Sequence, residues 1–395
     1  MAPVGKEPPK SLDEYSLMAA AQAKIGLSDY GDDGGSRASL RKLVSMLAED
    51  PDLSQRTRET AFDVVLDQLI ERLKLVDDRK RFPGIARERI ERPVFAMGQG
   101  RSGTTFLHSL LAEDPASRGP RYWEAMYPSP PLGMAPPEDP RIARANKELT
   151  DFIALNHRVL RGHPYWDQKG LSLVECNRMQ DLDFRSYSPT AYFRIPSFRR
   201  WDLGQDPQAF YAFHKRLLQH LQFRAPARRW ALKSPQHQRN LDALLAEYPD
   251  AILVWTHREP AEAVPSMLEH IATIADGING RRTDRKAMAA ENLAIAVAHF
   301  QSYVDSPFAN DKRVFHVRYP DLTRDPVGTV RRIYDHFALP FTGQYEERLR
   351  AFLADPATKA DRHGKLEYSI EPFGLTPAQF NEKFRPYREK FLGIR

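Results

Sequence analysis

"GQGRSGTTFLHSLL", residues 98–111, follows the short apolar run "VFAM" (Val94–Met97) and leads into a segment with helical periodicity. Strand, glycine-bracketed loop and helix in that order form a phosphate-cradle unit. Gly98 and Gly103 stand five apart, with Thr104 and Thr105 behind them, which approaches the spacing GxxxxGK[ST]. The lysine of that pattern is missing, and Thr104 stands in its place. The cation is instead Arg101, three positions earlier.

Glycines after a strand let backbone N–H groups turn toward an anion, and the helix N-terminus adds its dipole. The hydroxyls of Thr104 and Thr105 supply further donors, and a guanidinium at Arg101 suits two anionic oxygens at once. The plain alternative is a tight turn that binds nothing. Gly100, Arg101, Ser102, Gly103, Thr104 and Thr105 in succession weigh against it. A magnesium nucleotide calls for an Asp at the end of a neighbouring strand. The candidate strand "AILVWTHREP" (251–260) ends in Thr256, His257 and Arg258, and an arginine there repels a metal and attracts another phosphate.

Outward from the loop, "RPVFAMG", "RWALKSP" (229–235), "AILVWTHREP" and "RVFHVRYPDL" (313–322) read as buried strands, being short, apolar and largely unalternating. Helical segments follow them: "QRNLDALLAEYPD", "PAEAVPSMLEHIATI" and "PVGTVRRIYDHFAL". Residues 141–160 and 207–224 also read as helices. Strands alternating with helices predict an α/β fold around a central parallel sheet. The Pro-rich stretch 114–140 reads as a long loop.

Ahead of the sheet, residues 1–90 read as a helical N-terminal layer, with residues 91–395 forming the α/β domain. Residues 1–10 read as frayed. "SLDEYSLMAAAQAKIG" opens on a capping box, Ser11 with Glu14, and stops at Gly26. An aromatic-rich region holds Tyr165, Trp166, Phe184, Tyr187, Tyr192, Phe193, Phe198 and Trp201, which serve either an acceptor pocket or core packing.

The chain has 395 residues, a net charge of +6 and 28% charged residues, so a soluble globular protein with a mild preference for anions is expected. No basic block with interleaved aromatics points to nucleic acid, and no run nears the ~20 apolar residues of a membrane span. The single cysteine, Cys176, excludes an internal disulfide and reads as a buried small hydrophobe. With no apolar leader at the N-terminus, the expected location is the cytoplasm.

Three ordered segments carry a family resemblance: "RPVFAMGQGRSGTTFLHSLLAEDP", "WALKSPQHQRNLDALLAEYPDAILVWTHREPAEAVPSM" and "VRYPDLTRDP". They resemble the nucleotide-dependent sulfotransferases, in the bacterial branch whose loop reads GxxRSGTT and which is related to the protein-tyrosine sulfotransferases. "AKIGLSDYGDDGG" and "HGKLEYSIEPFGL" are similar to that branch too, so the likeness runs from about Ala20 to the end. It implies 3′-phosphoadenosine 5′-phosphosulfate as donor, adenosine 3′,5′-bisphosphate as product, and no metal.

The resemblance also implies roles. The 98–105 loop takes the 5′-phosphosulfate. Arg258 takes the 3′-phosphate with Ser266, eight residues on, at a second and distant anion site. Tyr319 lies near the adenine. Lys233, with Arg101, stabilises the charge on the leaving phosphate. The acceptor loses a proton as it attacks, so a positioned base is needed. Glu124, twenty-three residues after Arg101, matches the glutamate base of the tyrosine-sulfating relatives. The cytosolic relatives use a histidine, which keeps His157 and His163 as candidates, and Glu175 is a third kind. Gly100 stands where the branch usually has proline. Whether residues 362–369 close over the nucleotide is left open.

The sequence therefore reads as a sulfotransferase for a small-molecule or lipid-like hydroxyl acceptor. Its rivals are a magnesium-dependent nucleotide kinase and a nucleotide-binding regulatory protein without catalysis.

Overall fold

In a computed structural model of the chain, five parallel strands form one sheet: β1 (Val94–Gly98), β2 (Ser117–Arg118), β3 (Arg229–Lys233), β4 (Ile252–His257) and β5 (Val314–Arg318). The order is β2-β3-β1-β4-β5. The structure describes residues 11–31, 35–51, 53–186, 188–193, 195–225 and 229–394. Residues 1–10, expected to fray, and Tyr187 lie outside the described residues.

Every residue of β1 and β4 is buried, as their unalternating apolar runs require. Phe95 and Met97 of β1 face a core shared with Leu232 and Trp255, while Val94 and Ala96 face a second core with Ala231 and Val254. The period of two thus sends successive side chains into two separate helical layers. β5 at the edge is half exposed. β2 was not foreseen: it is two residues long, inside the Pro-rich stretch, and too short to show a pattern.

The main helices, in chain order, are α1 (Glu14–Ile25), α2 (Ser36–Glu49), α3 (Gln55–Arg81), α4 (Thr104–Ala112), α5 (Pro140–Leu155), α6 (Pro207–Gln222), α7 (Leu241–Glu247), α8 (Pro260–Asn279), α9 (Arg285–Val304) and α10 (Pro326–His336). α1 ends at Gly26 as expected, in the left-handed conformation at φ +69°. Its N-cap is Asp13 rather than Ser11; the Asp13 carboxylate accepts from Ser16 N–H at 2.9 Å. Glu14 does not close a capping box and instead pairs with Arg37 and Arg41 of α2. α8 runs past the expected 260–274 to a left-handed Gly280. α9 escaped the sequence reading, since its alanine-rich surface gives no clear apolar stripe.

α1–α3 share an apolar cluster with Phe184, Phe193, Ile195 and Phe198, and a buried Arg72–Asp183 pair at 2.9 Å joins α3 to the same segment. Part of the aromatic-rich region is therefore core. Cys176 is buried, and burial pushes its thiol up to about 12, as suits a small apolar filler. Among the described residues no helix is long and apolar enough to cross a membrane.

Candidate active site

The carboxyl ends of β1, β3 and β4 finish side by side, with Ala96 paired to Lys233 and Gly98 to Thr256. Open parallel sheets bind ligands in the crevice beyond these ends. Gly98 has φ +142°, and a Cβ there would stand 2.4 Å from the Thr256 carbonyl oxygen, so no side chain fits. Gly103, at φ +91°, opens α4 without a side-chain cap, which leaves the first-turn N–H groups for an anion. A Cβ at Gly103 would lie 2.7 Å from the Tyr319 ring. Ser102 departs from its expected role. Its hydroxyl meets Thr256 Oγ1 at 2.6 Å and the Gln99 carbonyl, so it braces the loop against β4 rather than facing a ligand.

Arg101 carries the loop's strain and its charge. Its φ of +72° is a left-handed value for a residue with a Cβ, costing roughly 1–3 kcal/mol. Its Nε donates to Ser266 Oγ at 3.0 Å and its Nη1 to the Gly162 carbonyl. Arg258 Nη1 donates to the Arg101 carbonyl at 2.9 Å, and its guanidinium stacks 4.4 Å from the Tyr319 ring. Burial, then the charge of Arg258, lowers the Arg101 pKa, and among the described residues no carboxylate pairs with it. Arg258 itself pairs with Glu262 at 2.7 Å, which leaves the Arg101 guanidinium as the charge open to an anion. The residues expected at two distant sites lie side by side here: Arg101 touches both Ser266 and Arg258.

The C-terminal segment lies beside this cluster. Tyr368 OH accepts from Arg258 at 3.2 Å, and Arg362 and His363 both bind Asp167, Arg362 at 2.7 Å through two nitrogens.

Lys233 is 2% exposed, so it is no surface lysine. Its Nζ donates to Thr105 Oγ1 at 3.1 Å and pairs with Glu175, which heads a short helical turn, Cys176–Met179. Lys233 thus links Glu175 to the loop. Glu124 is not so linked. Its carboxylate is taken by Arg118 at 2.5 Å and by the Arg121 N–H at 2.9 Å, as a buried cap of the Tyr122–Met126 helix. It is absent from the cavity wall. His157 is exposed and also off the wall.

His163 does line the cavity, stacked 4.5 Å from Trp166. Burial, with Lys233, His270 and Arg101 adding charge, holds its pKa well below the usual imidazole range. His270, which the sequence reading missed, is pushed down to about 3 by burial, then by Arg101 and Lys233. The available signal was its place four residues after Ser266, on the same face of α8.

These groups open into one cavity of about 530 Å³. At one end are Gly100, Arg101, Gly103, Thr104, Thr105, Arg258 and Tyr319. From there Met267, His270, Ile271, Ile274 and Ile278 follow the wall at helical spacing, facing Leu149, Phe152 and Leu155 of α5 and Val64 of α3. At 1.5 Å per residue, α8 from Ser266 to Ile278 measures roughly 18 Å. A part-buried Arg178, paired with the buried Asp181 at 2.9 Å, lines the cavity and donates to Tyr192 OH at 3.1 Å.

The profile of the sulfotransferase family matches residues 93–343. Omega-hydroxy-beta-dihydromenaquinone-9 sulfotransferase Stf3 of Mycobacterium tuberculosis (strain CDC 1551 / Oshkosh) is 27% identical over 300 residues, covering 73% of this chain and 71% of its own. The Mycobacterium bovis protein of the same name matches equally. Among solved structures, sulfotransferase STF9 from Mycobacterium avium aligns with a TM-score of 0.85 and 27% identity over 99% of both chains. Sulfotransferase STF1 from Mycobacterium tuberculosis H37Rv gives 0.76 and 28% identity over 94% of this chain and 97% of its own.

Proposed function

The chain belongs to the sulfotransferase family, and from that premise we propose that it moves a sulfuryl group from 3′-phosphoadenosine 5′-phosphosulfate to the hydroxyl of an elongated, lipid-like acceptor. The observation that carries the reading is the meeting of Lys233, Thr105 and Glu175 beside Arg101, in a cavity that continues for roughly 18 Å along an apolar helix face.

The nucleotide fits the residues present. A glycine cradle with no room for side chains, open N–H groups and two adjacent arginines without a carboxylate for Arg101 suit an anion-rich ligand. Gly100, Arg101, Gly103, Thr104 and Thr105 would hold the 5′ end with Ser102 bracing the loop, Arg258 with Ser266 the 3′-phosphate, and Tyr319 the base. When bound, the nucleotide supplies the activated sulfuryl group. Lys233 and Arg101 stabilise negative charge at the phosphate end. Glu175 takes the proton of the acceptor hydroxyl, and Lys233, its ion-pair partner, fixes the carboxylate in place. The burial of Thr104 and Lys233 keeps bulk water from competing with the acceptor.

The acceptor reading draws on the wall of α8, α5 and α3 and on the relative named for a menaquinone-like lipid substrate. Residues 1–90 then form a layer whose α3 completes the acceptor end, with residues 91–395 supplying the chemistry. A chain with one cysteine and no disulfide suits the reducing cytoplasm.

The test is transfer of labelled sulfate from the donor to a series of primary alcohols of increasing chain length and to phenols. Turnover rising with chain length supports the reading. Calorimetry should show adenosine 3′,5′-bisphosphate binding without magnesium; ATP binding only with magnesium would place the chain with the kinases instead.

A further inference from the structure

We propose that His270 serves this transfer as a neutral hydrogen-bond donor, its Nε2–H reaching into the cavity to hold an oxygen of the sulfuryl group as it passes to the acceptor. The proposal rests on the sulfuryl-transfer reading and assigns a residue that no part of the family resemblance supplied.

The geometry comes from α8. Ser266 and His270 are four residues apart and so share one face, and Ser266 Oγ is the partner of Arg101 Nε at 3.0 Å. Arg101 also holds the Gly162 carbonyl, and Gly162 packs against the imidazole: a Cβ there would stand 2.3 Å from His270 Nδ1. Arg101, Gly162 and His270 therefore form one contiguous wall, with the Trp166 ring 5.8 Å from the imidazole.

The same packing selects the tautomer. His270 Nδ1 is buried without a hydrogen-bond partner. A neutral imidazole has one N–H and one bare nitrogen. A proton on Nδ1 would be a buried donor with no acceptor, the less tolerable of the two arrangements. The proton belongs on Nε2, the nitrogen left on the cavity side of a residue that lines the cavity. Burial and the neighbouring charges of Arg101 and Lys233 keep the ring from taking a second proton. A third cation so close would be costly, so His270 is a poor base and a fixed donor. In the transfer, the acceptor O–S bond forms, the S–O bond to the phosphate breaks with its electron pair going to the phosphate, and the acceptor proton goes to Glu175. His270 gains and loses nothing.

Two measurements test this. In ¹⁵N-labelled full-length protein saturated with adenosine 3′,5′-bisphosphate, long-range ¹H–¹⁵N spectra should report His270 as the Nε2–H tautomer at neutral pH. An Nδ1–H tautomer or a charged ring overturns the proposal, and this answer needs no turnover, so it stands apart from the failure of the transfer reading. Second, His270→Gln places an amide N–H near the Nε2 position, whereas His270→Leu keeps bulk without a donor. Loss of one such donor costs roughly 10²-fold in kcat. His270→Leu should show that loss, with bisphosphate affinity and the acid limb of the kcat/KM profile unchanged, and His270→Gln should recover most of it. Gln as inactive as Leu, or an acid limb that moves with the substitution despite Lys233, Arg101 and Glu175 being intact, refutes the donor role.

Discussion

Glu175→Gln separates the two glutamates that compete for the role of base. Gln keeps the side chain's length and one acceptor oxygen for Lys233 but cannot take a proton. Lys233 is buried at 2% exposure and loses its carboxylate partner, although Thr105 Oγ1 remains at 3.1 Å. Deleting half of a fully buried pair costs about 3–5 kcal/mol. The Glu175 side chain is 21% exposed and the amide oxygen still accepts, so a loss of about 1–3 kcal/mol is expected, enough to lower the thermal midpoint without unfolding the chain. Turnover should fall by roughly 10²–10⁴, the contribution of a positioned base, which equals about 2.7–5.4 kcal/mol of barrier. Affinity for adenosine 3′,5′-bisphosphate should hold or rise, because the site gains one net positive charge. Glu124→Gln is the counterpart. It weakens the Arg118 pair and the cap at the Arg121 N–H, so stability drops while turnover stays within a few fold. Single-turnover transfer from labelled donor, with calorimetry on the product nucleotide, reads both quantities. A folded Glu124→Gln without turnover, beside an active Glu175→Gln, would refute the argument from the Lys233 contact.

Arg101→Ala should weaken adenosine 3′,5′-bisphosphate at least tenfold by calorimetry, since a charge-assisted contact is worth roughly 1.5–3 kcal/mol. Arg258→Ala should weaken the 3′,5′-bisphosphate more than adenosine 5′-phosphate; equal losses would mean that it acts only through its bond to the Arg101 carbonyl. Ile278→Trp should block the far end of the acceptor wall and slow long-chain alcohols more than short ones, a ratio read directly from kcat/KM. His163, His214, His237, His257 and His270 are all held below the free imidazole pKa by burial. Their folded pKa values lie below the unfolded one, so their stabilising contribution is complete above about pH 6.5 and is lost as pH falls, by about 1.4 kcal/mol per pH unit for each histidine. Urea midpoints at pH 7.5 and 5.5 should differ in that direction, and a midpoint unchanged at pH 5.5 would contradict the burial of these rings.

The sheet was legible because β1 and β4 are buried on both faces and therefore carry runs such as "AILVW" that nothing else in the chain imitates. The loop was legible because its signal is local: Gly98 and Gly103 hold positive-φ backbone and Arg101 brings the charge, all within six residues. β2 left no trace, being a two-residue pairing made by β3. The carboxylate beside Lys233 was hard to single out for a related reason. Spacing from Arg101 singled out Glu124, but which carboxylate faces Lys233 depends on how residues 163–183 fold, and that segment is a chain of short turns without periodicity. His270 shows the intermediate case: its helix was expected and its place four residues after Ser266 puts both on one face, but what that face meets is set by the fold of the short turns around Gly162.

Arg101 joins the two halves of the cavity. Its carbonyl is held by Arg258 at the end of β4, its Nε by Ser266 on α8, and its Nη1 by Gly162, which immediately precedes His163 on the acceptor side. The left-handed backbone at Arg101 is what lets one residue face all three directions. On the proposed reading, an anion bound there would offset the Arg101–Arg258 repulsion and compete with the Gly162 carbonyl for the same guanidinium, so nucleotide occupancy would be felt at the wall formed by Gly162 and His270. A lysine could supply the charge but not the fork. Arg101→Lys should therefore retain part of the nucleotide affinity while losing acceptor discrimination. Loss of affinity with unaltered chain-length preference would show that Arg101 serves the nucleotide alone.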